Sequence, residues 1–344
     1  MTAYDLAALK FVKRGKVKEV YEAGDDFLFQ FSNRVSVFDQ VIPSLIPRKG
    51  ESLNRCSTHW FKAAKNLGIN THFIDMPAPD QMLVRRAGSF PLRGEHDPDY
   101  EKVGELRNNY QIPLEVIGRD YIVGSMFDRV QRGEVKPEEL GYPAGYDPKK
   151  IRKGEELPER LIEVTTKFEK FDRPVRIDEA YTIAGMMPAE YNEMKEIVNT
   201  MFDRMADEVE PRGLIHMDGK MEFAFGPHRE LMLIDTLGTG DEDRFVHKAI
   251  YDASEGQPQY KIVEVSKEFV RQYYRKMGHH AALEAARKAK RREPLIPPLP
   301  DPEIAETSRL YLKLMEMITG EQADGPFSPI DQTIWDEMGK QQNR

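Results

Sequence analysis

Cysteine is almost absent from this chain of 344 residues, in which Cys56 is the single example. One cysteine excludes an internal disulfide and any zinc site built from several cysteines, and it suits a reducing compartment. No apolar run approaches the roughly 20 residues that a membrane-spanning helix requires. The opening stretch "MTAYDLAALKFVKRGKVKEV" carries charges where a signal peptide would have its apolar core. We therefore expect a cytoplasmic protein with no membrane partner.

The chain also has no excess of positively charged residues. The formal net charge is −8, so a nucleic-acid partner is not expected. The one basic cluster, "ARKAKRRE" at 286–293, is typical of a solvated helix face. The chain also lacks a P-loop, a GxGxxG after a strand, an HExxH helix and a GxSxG elbow. The standard nucleotide-binding and hydrolase signatures are therefore excluded.

The order of the periodic segments predicts the fold class. Alternating segments on both sides of Gly24 predict a β-hairpin, whereas helical spacing recurs over 177–209, with a break near Met187 and Pro188. Strands and helices mix without a regular βαβ rhythm, which favours an α+β fold. Single cores stop growing near roughly 250 residues, so we expect several units. They are an N-terminal β-rich lobe at 1–112, a central α+β lobe at 113–265 and a C-terminal helical section at 266–344.

Charged residues alternate at the start of "MDGKMEFAFGPHRELMLID", residues 217–235. In a strand, Asp218, Lys220 and Glu222 would share one face. Pairing across the following turn would bring Asp235 close to Glu222. Two adjacent carboxylates beside a lysine are costly unless a cation lies between them, and oxygen-only ligands favour Mg²⁺ bridging to phosphates. A two-faced hairpin with a solvated polar side explains the same pattern equally well.

Three other stretches carry candidate anion-binding side chains. In "GKVKEVYE", Lys16 and Lys18 share a strand face and could hold a polyphosphate. An exposed edge strand that uses lysine against aggregation is the alternative interpretation. In "GRDYIVGS", Arg119 and Ser125 flank a short strand and could grip a phosphate or a carboxylate. Arg244 follows a Gly-rich turn after an apolar strand, a position where sites are common.

Taken together, these segments resemble the phosphoribosylaminoimidazole-succinocarboxamide synthase (SAICAR synthetase) family. The matching stretches, in the family's order and across nearly the whole chain, are "GKVKEVYE", "SNRVSVFDQVIPSLIPRKGESLNRCSTHWF", "PLEVIGRDYIVGS", "LIEVTTKFEKFD", "MDGKMEFAFG", "LIDTLGTGDEDRF", "VSKEFVRQYY" and "SRLYLKLMEMITGE". The resemblance implies a small β-rich N-terminal lobe over a larger lobe related to ATP-grasp enzymes. The nucleotide would lie in the cleft between them.

The resemblance also implies an activity. An ATP-dependent ligase of this type joins carboxyaminoimidazole ribonucleotide to L-aspartate through an acyl phosphate, releases ADP and phosphate, and serves de novo purine biosynthesis. ATP and Mg²⁺ would be the cofactors, and small molecules the partners, while a homo-oligomeric state stays open. The chemistry is chiefly positioning and charge neutralisation, which suits a site of lysine, arginine and carboxylate side chains.

The motif matches imply roles for individual residues. The residues assigned to ATP binding are Lys16, Lys18, Lys167, Glu222 and Asp235. Glu222 and Asp235 would also hold Mg²⁺. Those assigned to catalysis are Lys220, Asp218 and Arg244. Those assigned to substrate binding are Ser36, Asp39, Arg119, Ser125, Lys220 and Arg244.

Several positions depart from the family pattern. Where the family has "DEVxTPDSSR", Thr236 replaces an acid, Gly240 a proline, and Glu242 and Asp243 two serines. Phe171 replaces a histidine. If both new carboxylates face the pocket, they would repel a substrate phosphate. Two alternatives therefore stay open: a relative that ligates an amino acid to a different azole carboxylate nucleotide or nucleoside, and an inactive nucleotide-binding scaffold.

Overall fold

The computed structural model describes residues 2–255, 257, 260–265 and 267–323. Part of the expected C-terminal section, residues 324–344, lies outside the described residues. Within the described part of the chain, no helix is both long and apolar enough to cross a membrane.

Strands and helices are mixed along the chain, as an α+β fold requires. The strands are β1 (Lys10–Arg14), β2 (Lys18–Ala23), β3 (Asp26–Phe31), β4 (Arg34–Val37), β5 (Gln40–Leu45), β6 (Phe73–Ala78), β7 (Gln81–Val84), β8 (Leu92–Gly94), β9 (Asp97–Pro98), β10 (Tyr110–Tyr121), β11 (Glu156–Thr166), β12 (Leu214–Phe225), β13 (Leu231–Ile234) and β14 (Arg244–His247). The α-helices are α1 (Lys49–Asn66), α2 (Ser125–Gln131), α3 (Ile177–Ala184), α4 (Pro188–Val209), α5 (Lys248–Asp252), α6 (Glu268–Lys276), α7 (His279–Lys288) and α8 (Asp301–Thr319).

The N-terminal sheet is antiparallel, with strand order β1-β2-β3-β7-β6. The predicted first hairpin is confirmed, because β2 and β3 pair up to Ala23 and Asp26, on either side of a turn with Gly24 at φ 68°. Helix α1 packs on β3, β6 and β7, and its fully buried Phe61 stacks on Phe73 of β6 with ring centroids 6.0 Å apart. The short β4–β5 hairpin then projects residues 36–39 toward the central sheet.

The central sheet has strand order β11-β10-β12-β13, and β14 also pairs with β12. Helix α4 packs on β12 and β10. The predicted helix break is confirmed, because α3 ends at Ala184 and Pro188 occupies the first turn of α4, where proline costs no hydrogen bond. Glu222 pairs with Ile234, and this register places Asp235, the next residue, beside Met221 at the end of the ladder.

The C-terminal helices α6, α7 and α8 follow the central sheet, and α8 packs on α1. The chain therefore returns to the N-terminal part of the molecule. β10, at Tyr110–Tyr121, runs across residue 112, where the first unit was expected to end. The division into units at 1–112, 113–265 and 266–344 stays a prediction.

Gly118 gives a test of the close packing between the central sheet and α4. A Cβ at Gly118 would lie 2.4–2.9 Å from three ring atoms of Phe202, which is itself fully buried. We expect Gly118→Ala to destabilise the fold by about 1–3 kcal/mol, because the ring must leave its rotamer or push the strand aside. Urea unfolding followed by circular dichroism measures this. Gly104→Ala is the matched control, since its Cβ meets no atom within 4 Å; equal midpoints for the two variants would contradict the packing argument.

Candidate active site

A cavity of about 900 Å³ lies where the N-terminal sheet, the central sheet and helix α6 meet. This volume is within the range of small-molecule sites. The predicted site residues that line it are Lys16, Ser36, Asp39, Ser125, Lys220 and Arg244. The structure thus brings together residues from five separate segments of the chain.

A buried cluster of lysines and carboxylates adjoins this cavity. Lys167 Nζ lies 2.5 Å from Glu222 Oε1, and Lys220 Nζ lies 2.8 Å from Glu115 Oε1. Lys220 is also 3.5 Å from Glu222 Oε1. Because Glu115 and Glu222 are direct partners on β10 and β12, the two carboxylates and the two lysines are interleaved. Lys220 lines the cavity and therefore connects it to the cluster.

Asp235 completes the cluster at the end of β13. Its backbone adopts a φ of 69°, an uncommon conformation for a residue other than glycine. Lys18 Nζ donates to Asp235 Oδ1 at 2.5 Å. Burial and the nearby charge of Asp235 raise the pKa of Glu222. Burial also acts to raise the pKa of Asp235, but Lys18 and Lys167 outweigh it and hold that pKa below its usual range.

The donor set of Glu222 and Asp235 fits a hard divalent cation in one respect. Both offer only oxygen ligands, and the negative charge of Asp235 opposes ionisation of Glu222. However, no group of three or more histidine, cysteine, aspartate or glutamate side chains suited to a metal is found among the described residues. A cation held here would therefore need further oxygen ligands, which a polyphosphate can supply.

Asp218 holds two arginines at the other end of the site. Its Oδ2 accepts from Arg119 Nη1 at 2.6 Å and from Arg244 Nη1 at 2.5 Å. Arg119 Nε also donates to Glu163 at 3.1 Å. At Gly124, whose φ of 59° favours glycine, a Cβ would lie 2.8–3.1 Å from the guanidinium of Arg244, so a larger residue would displace this side chain. Asp218 is buried and does not line the cavity, which suits a residue that positions the arginines.

The two replaced serines have different positions. Glu242 lines the cavity, and its Oε2 lies 3.0 Å from Lys220 Nζ. Asp243 is buried behind β12, where its Oδ2 lies 2.7 Å from His216 Nε2 and its carboxylate lies against Gly219. Only Glu242 therefore brings new negative charge to the cavity, and Lys220 balances it. The expected double repulsion of a substrate phosphate does not arise.

Some residues at the site were not identified from the sequence. Glu115 lies four residues before Arg119 on β10, so strand alternation alone would have placed them on one face. Lys267, Arg271 and Arg275 line the cavity at a spacing of four residues, which is the signature of one helix face. Asp241 lines it too, but its partner Lys49 is distant in sequence, and no local pattern indicates the pair.

Known proteins similar to this chain point to one family. The SAICAR synthetase family matches residues 11–288. The phosphoribosylaminoimidazole-succinocarboxamide synthase of Thermoplasma acidophilum is 46% identical over 314 residues, which cover 91% of this chain and 100% of the relative. The structure of SAICAR-synthase from Saccharomyces cerevisiae complexed with SAICAR has a TM-score of 0.67 at 24% identity, and the match covers 94% of this chain and 99% of that one. A SAICAR synthetase in complex with ADP has a TM-score of 0.62 at 20% identity, covering 92% of this chain and 100% of that one.

The fold and these similarities define the class of protein, an ATP-dependent carboxylate–amine ligase. More particularly, the chain belongs to the SAICAR synthetase family. The α+β fold and the family expected from the motifs are confirmed. Nothing in these similarities favours a different azole acceptor or an inactive scaffold. The roles of individual residues stay predictions.

Proposed function

We propose that this chain joins carboxyaminoimidazole ribonucleotide to L-aspartate, with ATP converted to ADP and phosphate, in de novo purine biosynthesis. The position of Lys220 carries the proposal. Its ammonium group lies within 3.0 Å of carboxylates on two sides, Glu115 and Glu242, and it both lines the cavity and borders the buried Glu222. One lysine thus joins a region suited to polyphosphate to a region suited to an anionic acceptor.

The ATP phosphates are assigned to the lysine side of the site. Lys18 and Lys167 now donate to Asp235 and Glu222, and they would exchange these carboxylates for phosphate oxygens when ATP arrives. Lys16 lines the cavity next to them. Glu222 and Asp235 would then be free to hold Mg²⁺, which supplies positive charge against the polyphosphate when it is bound.

The acceptor is assigned to the arginine side. Arg244 and Ser125 line the cavity and would bind its phosphate, with Arg119 supporting Arg244 through their shared partner Asp218. Ser36 and Asp39, on the β4–β5 hairpin, line the same cavity from the N-terminal side. Further positive charge comes from Lys267, which immediately precedes α6, and from Arg271 and Arg275 on α6.

Lys220 is assigned to the reacting carboxylate. Burial alone would lower the pKa of Lys220, but the carboxylates of Glu242, Glu222 and Glu115 outweigh it and keep the side chain charged. The acceptor carboxylate oxygen attacks the γ-phosphorus of ATP, the bond to ADP breaks and ADP leaves. A fixed ammonium at this point would stabilise the negative charge of the phosphoryl group during its transfer. The amine of L-aspartate then attacks the acyl phosphate and expels phosphate.

An omission assay tests the reaction. With Mg-ATP, we expect ADP release only when carboxyaminoimidazole ribonucleotide and L-aspartate are both present, and a product with the mass of the succinocarboxamide. The corresponding nucleoside serves as the control acceptor and should turn over far more slowly, because it lacks the phosphate assigned to Arg244 and Ser125. Faster turnover with the nucleoside would contradict the assignment of Arg244 and Ser125 to the substrate phosphate. Sustained ADP release when one of the two substrates is omitted would contradict the proposed reaction.

We also propose a cytoplasmic location. Cys56 is fully buried in α1, and burial raises the pKa of its thiol to about 12. The thiol is therefore unreactive, and the chain carries no second cysteine to pair with it. This supports a protein adapted to a reducing compartment.

A further inference from the structure

The roles assigned above leave unused a carboxylate that faces the active-site cavity. Glu242, in the loop between β13 and β14, lines this cavity and replaces a serine of the family pattern. We propose that Glu242 binds the ammonium group of L-aspartate and accepts the proton that this group loses before it attacks the acyl phosphate. The inference rests on the ligase reaction proposed above, and the role belongs to this chain and not to the family pattern.

The loop presents Glu242 in a fixed position. The backbone N–H of Glu242 donates to Thr239 O at 3.1 Å, and that of Asp243 donates to the same oxygen at 2.8 Å. Asp243 is anchored behind β12 by His216. Glu242 instead faces the cavity, with 21% of its side chain exposed. Its carboxylate is therefore positioned for contact with a substrate before the substrate arrives.

The neighbouring lysines do not neutralise the charge that Glu242 adds. Three carboxylates share two ammonium groups at this point. The carboxylates are those of Glu115, Glu222 and Glu242, and the ammonium groups are those of Lys167 and Lys220. Glu242 lines the cavity, whereas Glu115 and Glu222 belong to the buried cluster that adjoins it. The surplus negative charge is thus open to a ligand, and a cationic group suits it.

The distance to Lys220 places Glu242 beside the reacting carbon. Glu242 Oε2 lies 3.0 Å from Lys220 Nζ, the ammonium group assigned to the acceptor carboxylate. Two oxygens that accept from one ammonium group are about 4–5 Å apart. An amine that attacks the activated carboxyl carbon therefore comes within hydrogen-bond reach of Glu242, as a proton acceptor requires. The ammonium group would also separate the two carboxylates that share Lys220 and relieve their repulsion.

The other carboxylates of the cavity are less suited to this role. Four of them are each paired with a basic side chain other than Lys220 within 3.2 Å, and these are Asp39, Asp241, Glu264 and Glu268. Asp128, a fifth, lies on α2 one helical turn after Ser125, on the side assigned to the substrate phosphate. Within the described lining, Glu242 is therefore the carboxylate placed at the reacting group.

The charged groups around Glu242 suit a zwitterion. They are Lys220 on β12, Lys49 in α1, Lys267 before α6, and Asp241 and Asp243 in the same loop. Lys49 is already paired with Asp241. Lys267 lines the cavity and has no ion pair in the described part of the chain. A carboxylate of L-aspartate can therefore bind Lys267 while the ammonium group binds Glu242.

The amide-forming step balances with this assignment. One proton of the ammonium group passes to the Glu242 carboxylate, which leaves the neutral amine. The amine nitrogen then forms a bond to the carboxyl carbon, the bond from that carbon to the phosphate oxygen breaks, and phosphate leaves. A second proton passes from the nitrogen to the departing phosphate. Glu242 finally returns its proton to water.

The pH dependence of kcat/KM for L-aspartate tests the proposal. In the wild type Glu242 takes the proton, so we expect less than a threefold change between pH 7 and pH 9. In Glu242→Gln only amine that is already neutral reacts, and this fraction rises about tenfold for each pH unit below the pKa of the amine. The variant should therefore be at least tenfold slower than the wild type at pH 7 and approach it at pH 9.

Two further variants serve as controls, and circular dichroism checks that each variant is folded. Glu242→Asp keeps a carboxylate at this position and should keep the flat profile of the wild type at a lower rate. Asp128→Asn removes a carboxylate from the same cavity but away from Lys220, and its profile should also stay flat.

Several outcomes would overturn the proposal. A profile of Glu242→Gln parallel to that of the wild type would mean that Glu242 acts only by pairing with Lys220. A rising profile in Asp128→Asn would mean that the effect belongs to the charge of the cavity as a whole. A raised Mg²⁺ requirement in Glu242→Gln would mean that the carboxylate holds a metal ion instead of an ammonium group. These outcomes leave the ligase reaction in place, whereas an inactive wild type would contradict that reaction and this inference with it.

Discussion

Replacing Glu222 with glutamine is expected to lower kcat about 100- to 1,000-fold while the fold stays intact. If Glu222 holds Mg²⁺, glutamine removes a charged ligand and several kcal/mol of charge stabilisation with it, and each 1.36 kcal/mol is tenfold in rate. The amide keeps the shape of the carboxylate, and its oxygen can still accept from Lys167 Nζ. Because burial and Asp235 already raise the pKa of Glu222, losing its charge relieves repulsion and should not destabilise the protein.

Steady-state rates over a range of Mg²⁺ concentrations distinguish a metal ligand from a lysine partner. For Glu222→Gln we expect a higher Mg²⁺ requirement in addition to the lower kcat. Glu115→Gln is the matched control, because Glu115 contacts the same two lysines, Lys167 and Lys220. It should reduce the rate without shifting the Mg²⁺ requirement. Identical Mg²⁺ dependence in the wild type and in Glu222→Gln would refute the metal assignment.

Local periodicity was sufficient to predict the polar face of β12. Asp218, Lys220 and Glu222 alternate, so any strand must place them on one side. The register with β13 was predictable to within one residue, since a short turn fixes which positions meet. The pairing of β12 with β10 could not be predicted in this way, because nearly a hundred residues separate Arg119 from Asp218. Strand alternation places Glu115 on the same face as Arg119, but its position beside Glu222 depends on this long-range pairing.

The orientation of the two replaced serines was likewise beyond a sequence argument. Glu242 and Asp243 are adjacent, and their opposite directions depend on the loop between β13 and β14. Asp243 points behind β12 because Gly219 leaves room for its carboxylate and His216 offers a partner there. Neither feature is visible until the strands are assembled. The consequence for function is large, since the carboxylate of Asp243 is buried away from the cavity and does not repel a substrate phosphate there.

Replacing Lys49 with methionine is expected to destabilise the fold by about 3–5 kcal/mol. Lys49 is fully buried at the start of α1, and its Nζ lies 2.6 Å from Asp241 Oδ2. Asp241 also accepts from Tyr311 Oη at 2.6 Å, so the pair joins α1, the loop between β13 and β14, and α8. Removing one partner of a buried pair leaves the other charge uncompensated, which is the costly case. Thermal and urea unfolding measure the loss, and Lys62→Met, at an exposed position of the same helix, should change stability by less than about 0.5 kcal/mol.

The pH dependence of this loss separates charge from packing. Burial would raise the pKa of Asp241, but Lys49 and Lys267 outweigh it and bring that pKa to about 2, below the unfolded value of about 3.9. In the wild type, this group's contribution to stability is therefore complete above about pH 4 and is lost as the pH falls toward 2. In Lys49→Met the main compensating charge is gone, so the pKa of Asp241 should rise and its buried charge should be neutralised at higher pH. The stability difference between the variant and the wild type should then shrink from pH 7 to pH 4. A difference that is constant over this range would mean that Lys49 acts by filling space rather than by its charge.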